Sequence, residues 1–204
     1  MKSREAALEA INQEIAHCTR CPLHAGRTYP VPGAGPVAAE IMFVGEAPGF
    51  YEDQKGMPFV GRSGQFLDEL LAGAKIDRQK VFVSNVIKCR PPGNRDPQPA
   101  EVEACRGYLE RQIAIIQPEI IVTLGRHSMA RAFPSEKISL VHGQPRRVAG
   151  QLYFPMYHPA AALHRPSLRE AVEEDFRRLR ALLDGQLTAQ EYQPAPKSEQ
   201  LSFF

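Results

Sequence analysis

Four cysteines and four side chains at the ends of apolar runs are the groups in this chain that can do chemistry. Cys18 and Cys21 stand three positions apart in "IAHCTRCPLH", and only Cys89, in "VIKCRPPGNRD", and Cys105, in "EVEACRGYL", follow. A lone CxxC suits a redox pair, half a zinc site or half an iron–sulfur site. A redox pair is expected to open a helix just after a strand, whereas this one follows a helical pattern and precedes Pro22. Cys89 and Cys105 are too far apart for the second knuckle of an ordinary zinc ribbon. Two thiolates from one turn plus two from separate elements can close a four-thiolate site, for which spacing leaves zinc and iron–sulfur both open. Cys105 also continues an apolar stripe with Val102 and Leu109, as a buried free thiol does. His17 and His24 flank the CxxC as substitute ligands, although plain surface positions suit them as well.

The second set is scattered. "FVGEAPG" puts the carboxylate of Glu46 at a strand tip, in a turn whose glycines let a ligand approach the backbone. "GMPFVGRSG" holds Phe59 before a helix, as core or as a stacking face. Asn85 ends a β-branched run and offers a donor and an acceptor on one amide. "YHPAAALHR" places His158 at a strand end, with Pro159 setting the turn.

The elements that must position them alternate. Ser3 is expected to cap a first helix carrying Leu8, Ile11 and Ile15 at helical spacing. Ile41–Val44, "KVFVSNVIK", "EIIVTLG" and "QLYFPMYHP" read as four strands. Between and after them run helices over "GRSGQFLDELLAGAKI", about Pro99 to Ile116, "GRHSMARAF", and "SLREAVEEDFRRLRALL", where Ser167 and Glu170 have capping-box spacing. Such alternation argues for an α/β fold with a mostly parallel sheet, whose ligands bind at the carboxyl ends of the strands. That rule selects Gly45–Gly49, Asn85 to Arg90, Gly125–His127 and His158–Pro159. Residues 1–187 are expected to form a single domain and 188–204 a flexible tail.

With 25 basic and 23 acidic residues the net charge is +2, which does not announce a nucleic-acid binder. Yet 18 of the 25 are arginine, the better bidentate partner for phosphate. No run is long and apolar enough for a membrane span, and the N-terminus lacks the apolar core of a signal peptide. A reducing cytoplasm is the expected compartment, where disulfides are disfavoured.

Six stretches in order, "CTRC", "GEAPGFYED", "PFVGRSG", "SNVIKCRPPGNRDP", "EACRGYL" and "YHPAAAL", resemble the iron–sulfur, thermostable-type uracil-DNA glycosylases called family 4. They span nearly everything from Cys18 to about Arg165. The resemblance implies a three-layer α/β/α fold around a four-stranded parallel sheet. It also implies one structural 4Fe–4S cluster on Cys18, Cys21, Cys89 and Cys105. The implied activity is hydrolysis of the N-glycosidic bond of uracil flipped from single- or double-stranded DNA, leaving an abasic site for base-excision repair. Broader specificity for hypoxanthine or xanthine, and a non-catalytic iron–sulfur DNA-binding protein, are the rival readings.

Carried over residue by residue, Phe59 stacks on uracil and Asn85 reads its Watson–Crick edge. His158 donates to O2 as negative charge develops. Glu46, Ala47 and Pro48 line the pocket beside the sugar, with Glu46 stabilising the cation or orienting water. Glu52 and Asn94 are secondary candidates for placing that water. Backbone groups of Gly61 to Gly64, with Arg62, Ser63, Gly64 and Arg165, are the expected DNA contacts. No histidine lies between Cys89 and Cys105, which favours turnover over the covalent capture of a sister branch. A monomer in the cytoplasm, associated with the nucleoid, is expected.

The final "QLSFF" resembles the pentapeptide by which bacterial repair proteins dock on the sliding clamp. Gln200, Leu201, Phe203 and Phe204 on a Pro-containing tether suit insertion into an apolar groove.

Overall fold

The computed structural model describes residues 2–194. In chain order its helices and strands are α1 (Lys2–Ala16), β1 (Ile41–Gly45), α2 (Phe50–Lys55), α3 (Arg62–Gly73), β2 (Val81–Asn85), α4 (Pro99–Ile116), β3 (Ile120–Leu124), α5 (Arg126–Met129), α6 (Ile138–Val141), β4 (Arg146–Val148), β5 (Gln151–Met156), α7 (Pro159–His164), α8 (Arg169–Leu183) and β6 (Gln190–Glu191). Short 3-10 turns, among them Pro22–Ala25 and Pro166–Leu168, join them.

Alternation along the strands decides the layering. Ile41 and Phe43 of β1 face one side of the sheet and Met42 and Val44 the other. Val81 and Val83 part from Phe82 in the same way, as do Ile120 and Val122 from Ile121. A strand apolar on both faces has to be covered twice. Helices α3 and α8 cover the first face through Leu67, Leu71, Val172 and Phe176, and the Phe43 and Phe176 rings stack with centroids 6.2 Å apart. Helices α1 and α4 cover the second through Ile11, Ile15, Leu109 and Ile116. The fold is therefore three-layered, α/β/α, as the alternating pattern requires.

Among the described residues its sheet has six strands in the order β2-β1-β3-β5-β4-β6. The four expected strands pair in parallel, with β2 at one edge of the sheet. Strand β4 joins antiparallel to β5, and β6 lies parallel to β4. The extra pair escapes sequence reading because β4 is three residues long and largely polar. It turns into β5 through Ala149 and Gly150, both at positive φ (49° and 84°). Two left-handed residues make a tight hairpin, but alanine hides the usual Asn-Gly signal. Residues 188–194, expected to begin a tail, run along this edge instead. Gln190 and Glu191 pair with β4, and the Tyr192 ring meets that of Phe133 at 4.9 Å. The "QLSFF" end lies outside the described residues.

Two capping expectations fail. Helix α1 already includes Lys2, so Ser3 lies within its first turn. Helix α8 starts after Leu168 without a side-chain cap, and Ser167 belongs to the preceding 3-10 turn. The capping box occurs at α4 instead, where Glu101 Oε2 accepts from the Gln98 amide at 2.8 Å. Glutamine is an uncommon N-cap, so the pattern gives little warning.

The chain passes from β1 to β2 on one side and then crosses to β3 on the other. Connections that diverge between neighbouring strands leave a crevice at their carboxyl ends. Here that crevice lies between Gly45–Glu46 and Gly125–His127.

Candidate active site

A cavity of about 420 Å³ opens at this crevice. It gathers Glu46, Ala47 and Pro48 after β1, Asn85 at the end of β2, Phe59 before α3, and His158 after β5. Four separate stretches of sequence thus converge at one end of the sheet. Glu52, Ser63 and Asn94 also line it, so all the expected catalytic and base-binding residues meet here.

Glycine makes the convergence possible. Gly45 is paired with Asn85 across the β1–β2 ladder. A Cβ at Gly45 would collide with Asn85 Oδ1 and come within 2.9 Å of Phe59 Cζ. Phe59 itself has φ 54°, a left-handed conformation that a bulky residue adopts only under constraint. The constraint is close backbone packing: a Cβ at Gly64 would overlap the Phe59 carbonyl. The ring so held is 7% exposed and lies 5.7 Å from the His158 ring, with 23° between their planes.

The polar groups are set with equal firmness. Asn85 is 2% exposed, and its Oδ1 has no hydrogen-bond partner among the described residues. Buried acceptors are almost always satisfied, so an orphan aimed into a cavity marks a place for a ligand donor. Behind it, the Lys88 ammonium donates to the Asn85 carbonyl at 2.8 Å, to Ser84 Oγ at 2.6 Å and to Gln112 Oε1 at 2.8 Å. Burial pushes the Lys88 pKa down to about 7.

His158 caps α7: its Nδ1 accepts from the Ala160 amide at 3.1 Å. An Nδ1 that accepts carries no proton, so the neutral ring bears its proton on Nε2. Burial drives the His158 pKa down to about 4, which keeps the ring neutral near pH 7. The site therefore holds a fixed, uncharged N–H donor.

Glu46 is half-buried. Desolvation pushes its carboxyl above the ordinary glutamate value, while His127 pulls the other way. His127 Nε2 lies 3.8 Å from Glu46 Oε2 and 3.6 Å from Asp96 Oδ1, and Arg126 pairs with Asp96. Of these, Arg126 and His127 are expected only as part of the Gly125–His127 strand end, and Asp96 is not expected as a site residue. Asp96 is exposed on a proline-rich loop without periodicity, and only its neighbours' motif could have pointed to it.

Three expectations change in detail. Glu52 Oε1 accepts from the amides of Val60 at 2.9 Å and Gly61 at 2.8 Å, so this carboxylate braces the Phe59 loop. Gly64 donates its amide to the Gly61 carbonyl at 2.9 Å, which, with the Gly61–Glu52 bond, takes both glycine amides away from any outside phosphate. Asn94 Oδ1 accepts from Arg90 Nε at 2.7 Å. Arg62 and Arg165 are exposed at the start of α3 and the end of α7.

The cysteines form a second centre on the α1–α4 side of the sheet. Cys18 and Cys21 follow α1, Cys89 follows β2, Cys105 sits in α4, and all four line one small cavity. All four are free thiols, with Cys89 and Cys105 buried. Burial pushes the Cys89 thiol up and the Cys105 thiol to about 11, so a thiolate set here needs a cationic group to hold it. Arg27 Nη1 donates to Cys89 Sγ at 3.2 Å. Among the described residues no three of these sulfurs come within 4.8 Å of one another. A zinc tetrahedron with Zn–S near 2.3 Å needs sulfurs about 3.8 Å apart, so the wider set fits a multinuclear iron–sulfur group better. His17 and His24 are exposed and bond backbone carbonyls of their own turns, Gln13 at 3.0 Å and Cys21 at 2.8 Å.

Known proteins share this chain's sequence over most of its length. Residues 32–182 match the model of the uracil DNA glycosylase superfamily. The chain is 48% identical over 188 residues to the Type-4 uracil-DNA glycosylase of Sulfurisphaera tokodaii, covering 86% of this chain and 84% of that protein. It is 47% identical over 184 residues to the Archaeoglobus fulgidus protein of the same name, with 85% and 92% covered. For that of Thermotoga maritima the figures are 42% over 188 residues, with 90% and 98% covered.

Proposed function

The chain belongs to the Type-4 uracil-DNA glycosylases of the uracil-DNA glycosylase superfamily and is a DNA glycosylase acting on uracil, and from that premise we propose how its residues work. The observation that carries the reading is the orphaned Asn85 Oδ1 beside a neutral His158 locked with its proton on Nε2.

Duplex stacking shields a glycosidic bond, so the nucleotide enters the cavity extruded. Phe59 offers its ring face to the base. Asn85 accepts from uracil N3–H through Oδ1 and donates to O4 through its amide nitrogen. Cytosine presents the reverse pattern at those two atoms, which leaves a buried donor and acceptor mismatched. As the bond to the sugar breaks, negative charge grows on the base and positive charge on the deoxyribose. His158 Nε2–H donates to O2 and stabilises the first, a contribution of about 3–4 kcal/mol by analogy with one oxyanion-hole donor. Glu46, as a carboxylate, faces the second and orients the attacking water. His127 and Arg126 favour the ionised form of Glu46 and Asp96 opposes it, while Glu52 holds the loop that presents Phe59. The backbone is left uncut, and the product is an abasic site.

Cys18, Cys21, Cys89 and Cys105 would hold a 4Fe–4S cluster that ties α1, the β2 end and α4 together. When bound it supplies cationic charge for four thiolates and no step of base removal. Arg62, Ser63 and Arg165 are the side chains placed to meet phosphates, and repair proceeds on cytoplasmic DNA by a monomer. The C-terminal Gln200, Leu201, Phe203 and Phe204 dock on a sliding clamp. Equal clamp binding by the intact chain and by one ending at residue 199 overturns that docking.

The enzymatic reading is tested with oligonucleotides carrying uracil, cytosine, hypoxanthine or xanthine, incubated with cluster-loaded protein and then treated with alkali. Scission of the uracil strand alone is expected. Scission led by hypoxanthine or xanthine overturns the assigned specificity, and no scission overturns the mechanism.

A further inference from the structure

Beside the base pocket the structure carries an aromatic surface that the excision chemistry leaves unused. Helix α2 starts directly after Gly49, whose backbone lines the cavity. Its Glu52 and Asp53 point inward and are buried, so helical spacing turns the preceding two residues outward. These are Phe50 and Tyr51, 49% and 55% exposed. Their rings stand edge to face, with centroids 5.5 Å apart and planes at 81°. The Arg90 guanidinium lies 5.1 Å from the Phe50 ring centre. The same side chain donates from Nε to Asn94, which lines the cavity, so the surface is continuous with the pocket. On its other side Tyr51 passes within 3.4 Å of the Cβ position of Gly61, where α3 begins.

We propose that Phe50, Tyr51 and Arg90 form a subsite for an unpaired nucleotide adjoining the flipped uracil on the same strand. This rests on the uracil-excision reading and extends it. Exposed aromatic faces bind any base by stacking, and a guanidinium beside them meets the phosphate that links that base to the next. Nucleic acid is the occupant favoured by position: the platform adjoins the mouth through which the extruded base must pass. A base still paired in duplex has both faces covered by its neighbours, so the subsite acts on single-stranded or frayed DNA.

Two measurements test it. The first compares kcat/KM on single-stranded oligonucleotides whose uracil is flanked either by bases or by abasic analogues. Relative to wild type, Phe50→Ala with Tyr51→Ala is expected to lose roughly tenfold or more on the base-flanked substrate, through KM, and nothing on the abasic-flanked one. Phe50→Tyr with Tyr51→Phe is expected to restore the wild-type value. The second measures binding of a short uracil-free single strand by fluorescence anisotropy, which reads the platform without turnover. The alanine variant is expected to bind it several-fold more weakly, with unchanged melting temperature and cluster colour. Equal losses on both substrates, or unchanged affinity for the uracil-free strand, overturns the subsite. Failure of wild-type excision alone overturns the reading it rests on and leaves the anisotropy result to decide the platform.

Discussion

One amide decides which nitrogen of His158 carries the proton. Because Ala160 N–H occupies Nδ1, the ring presents Nε2–H, and burial holds its pKa near 4. His158→Ala is expected to lower single-turnover excision about 10²–10³-fold, the usual loss for one such donor. The pH profile follows from two groups. His158 is neutral above about pH 5 and adds no limb there. In the proposed mechanism Glu46, whose carboxyl is held above its ordinary value by desolvation, acts as a carboxylate. Activity is therefore expected to fall on acidification at a pH above the normal glutamate range, and Glu46→Gln to remove that limb. For stability the sign is also fixed. The folded state resists protonation of His158, so between pH 6.5 and about 4 it binds fewer protons than the unfolded chain. This contribution to stability is present at neutral pH and is lost progressively as pH falls through that window, which thermal melts across pH 4–7 can follow.

At the scale of elements, the turn after β2 does two tasks within five residues. Asn85 faces the base pocket, Cys89 faces the cysteine cavity, and Lys88 between them grips Ser84, the Asn85 carbonyl and Gln112. Lys88→Met takes its donor from Ser84 Oγ and the Asn85 carbonyl, a buried group costing about 1–3 kcal/mol when orphaned, while Gln112 Oε1 keeps the Ser84 hydroxyl. A fall in melting temperature is expected, together with a loss of uracil affinity that exceeds the loss on a variant already lacking the Asn85 side chain. Gly64→Ala is expected to displace Phe59 and cost on the order of 10²-fold in activity, as small misplacements of a positioned group do.

The same scale shows what the sequence could reveal. Strands β1, β2, β3 and β5 were legible because both their faces are apolar and glycine, asparagine or proline closes each one. Glu46, Asn85 and His158 were legible because they stand at those closures. Strands β4 and β6 were not: Arg146–Val148 has no apolar face to count, and Gln190–Glu191 gains order only by pairing. Ser167 misled because its spacing to Glu170 was right while Pro166 drew it into a 3-10 turn. Asp96 and the bracing role of Glu52 depend on through-space partners that no periodicity encodes.

Across the whole molecule, the base pocket lies at the carboxyl end of the sheet and the cysteine cavity on its α1–α4 side. The four thiols come from the end of α1, the β2 end and α4, and in the proposed function a group bound there ties these elements together and takes no part in excision. Cys105→Ala is expected to bleach the visible absorption and lower the melting temperature, because a buried ligand is lost. Asn85→Ala is expected to keep both. A chain that excises at the wild-type rate after losing its colour would leave the cysteine centre without the structural duty assigned to it. The most direct test of the account is single-turnover release of free uracil by cluster-loaded protein, comparing wild type with Asn85→Ala. Wild type is expected to release one uracil per abasic site formed, and the variant to do so at least a hundredfold more slowly with undiminished colour. Equal rates for the two proteins, or no uracil released by wild type, would contradict the account.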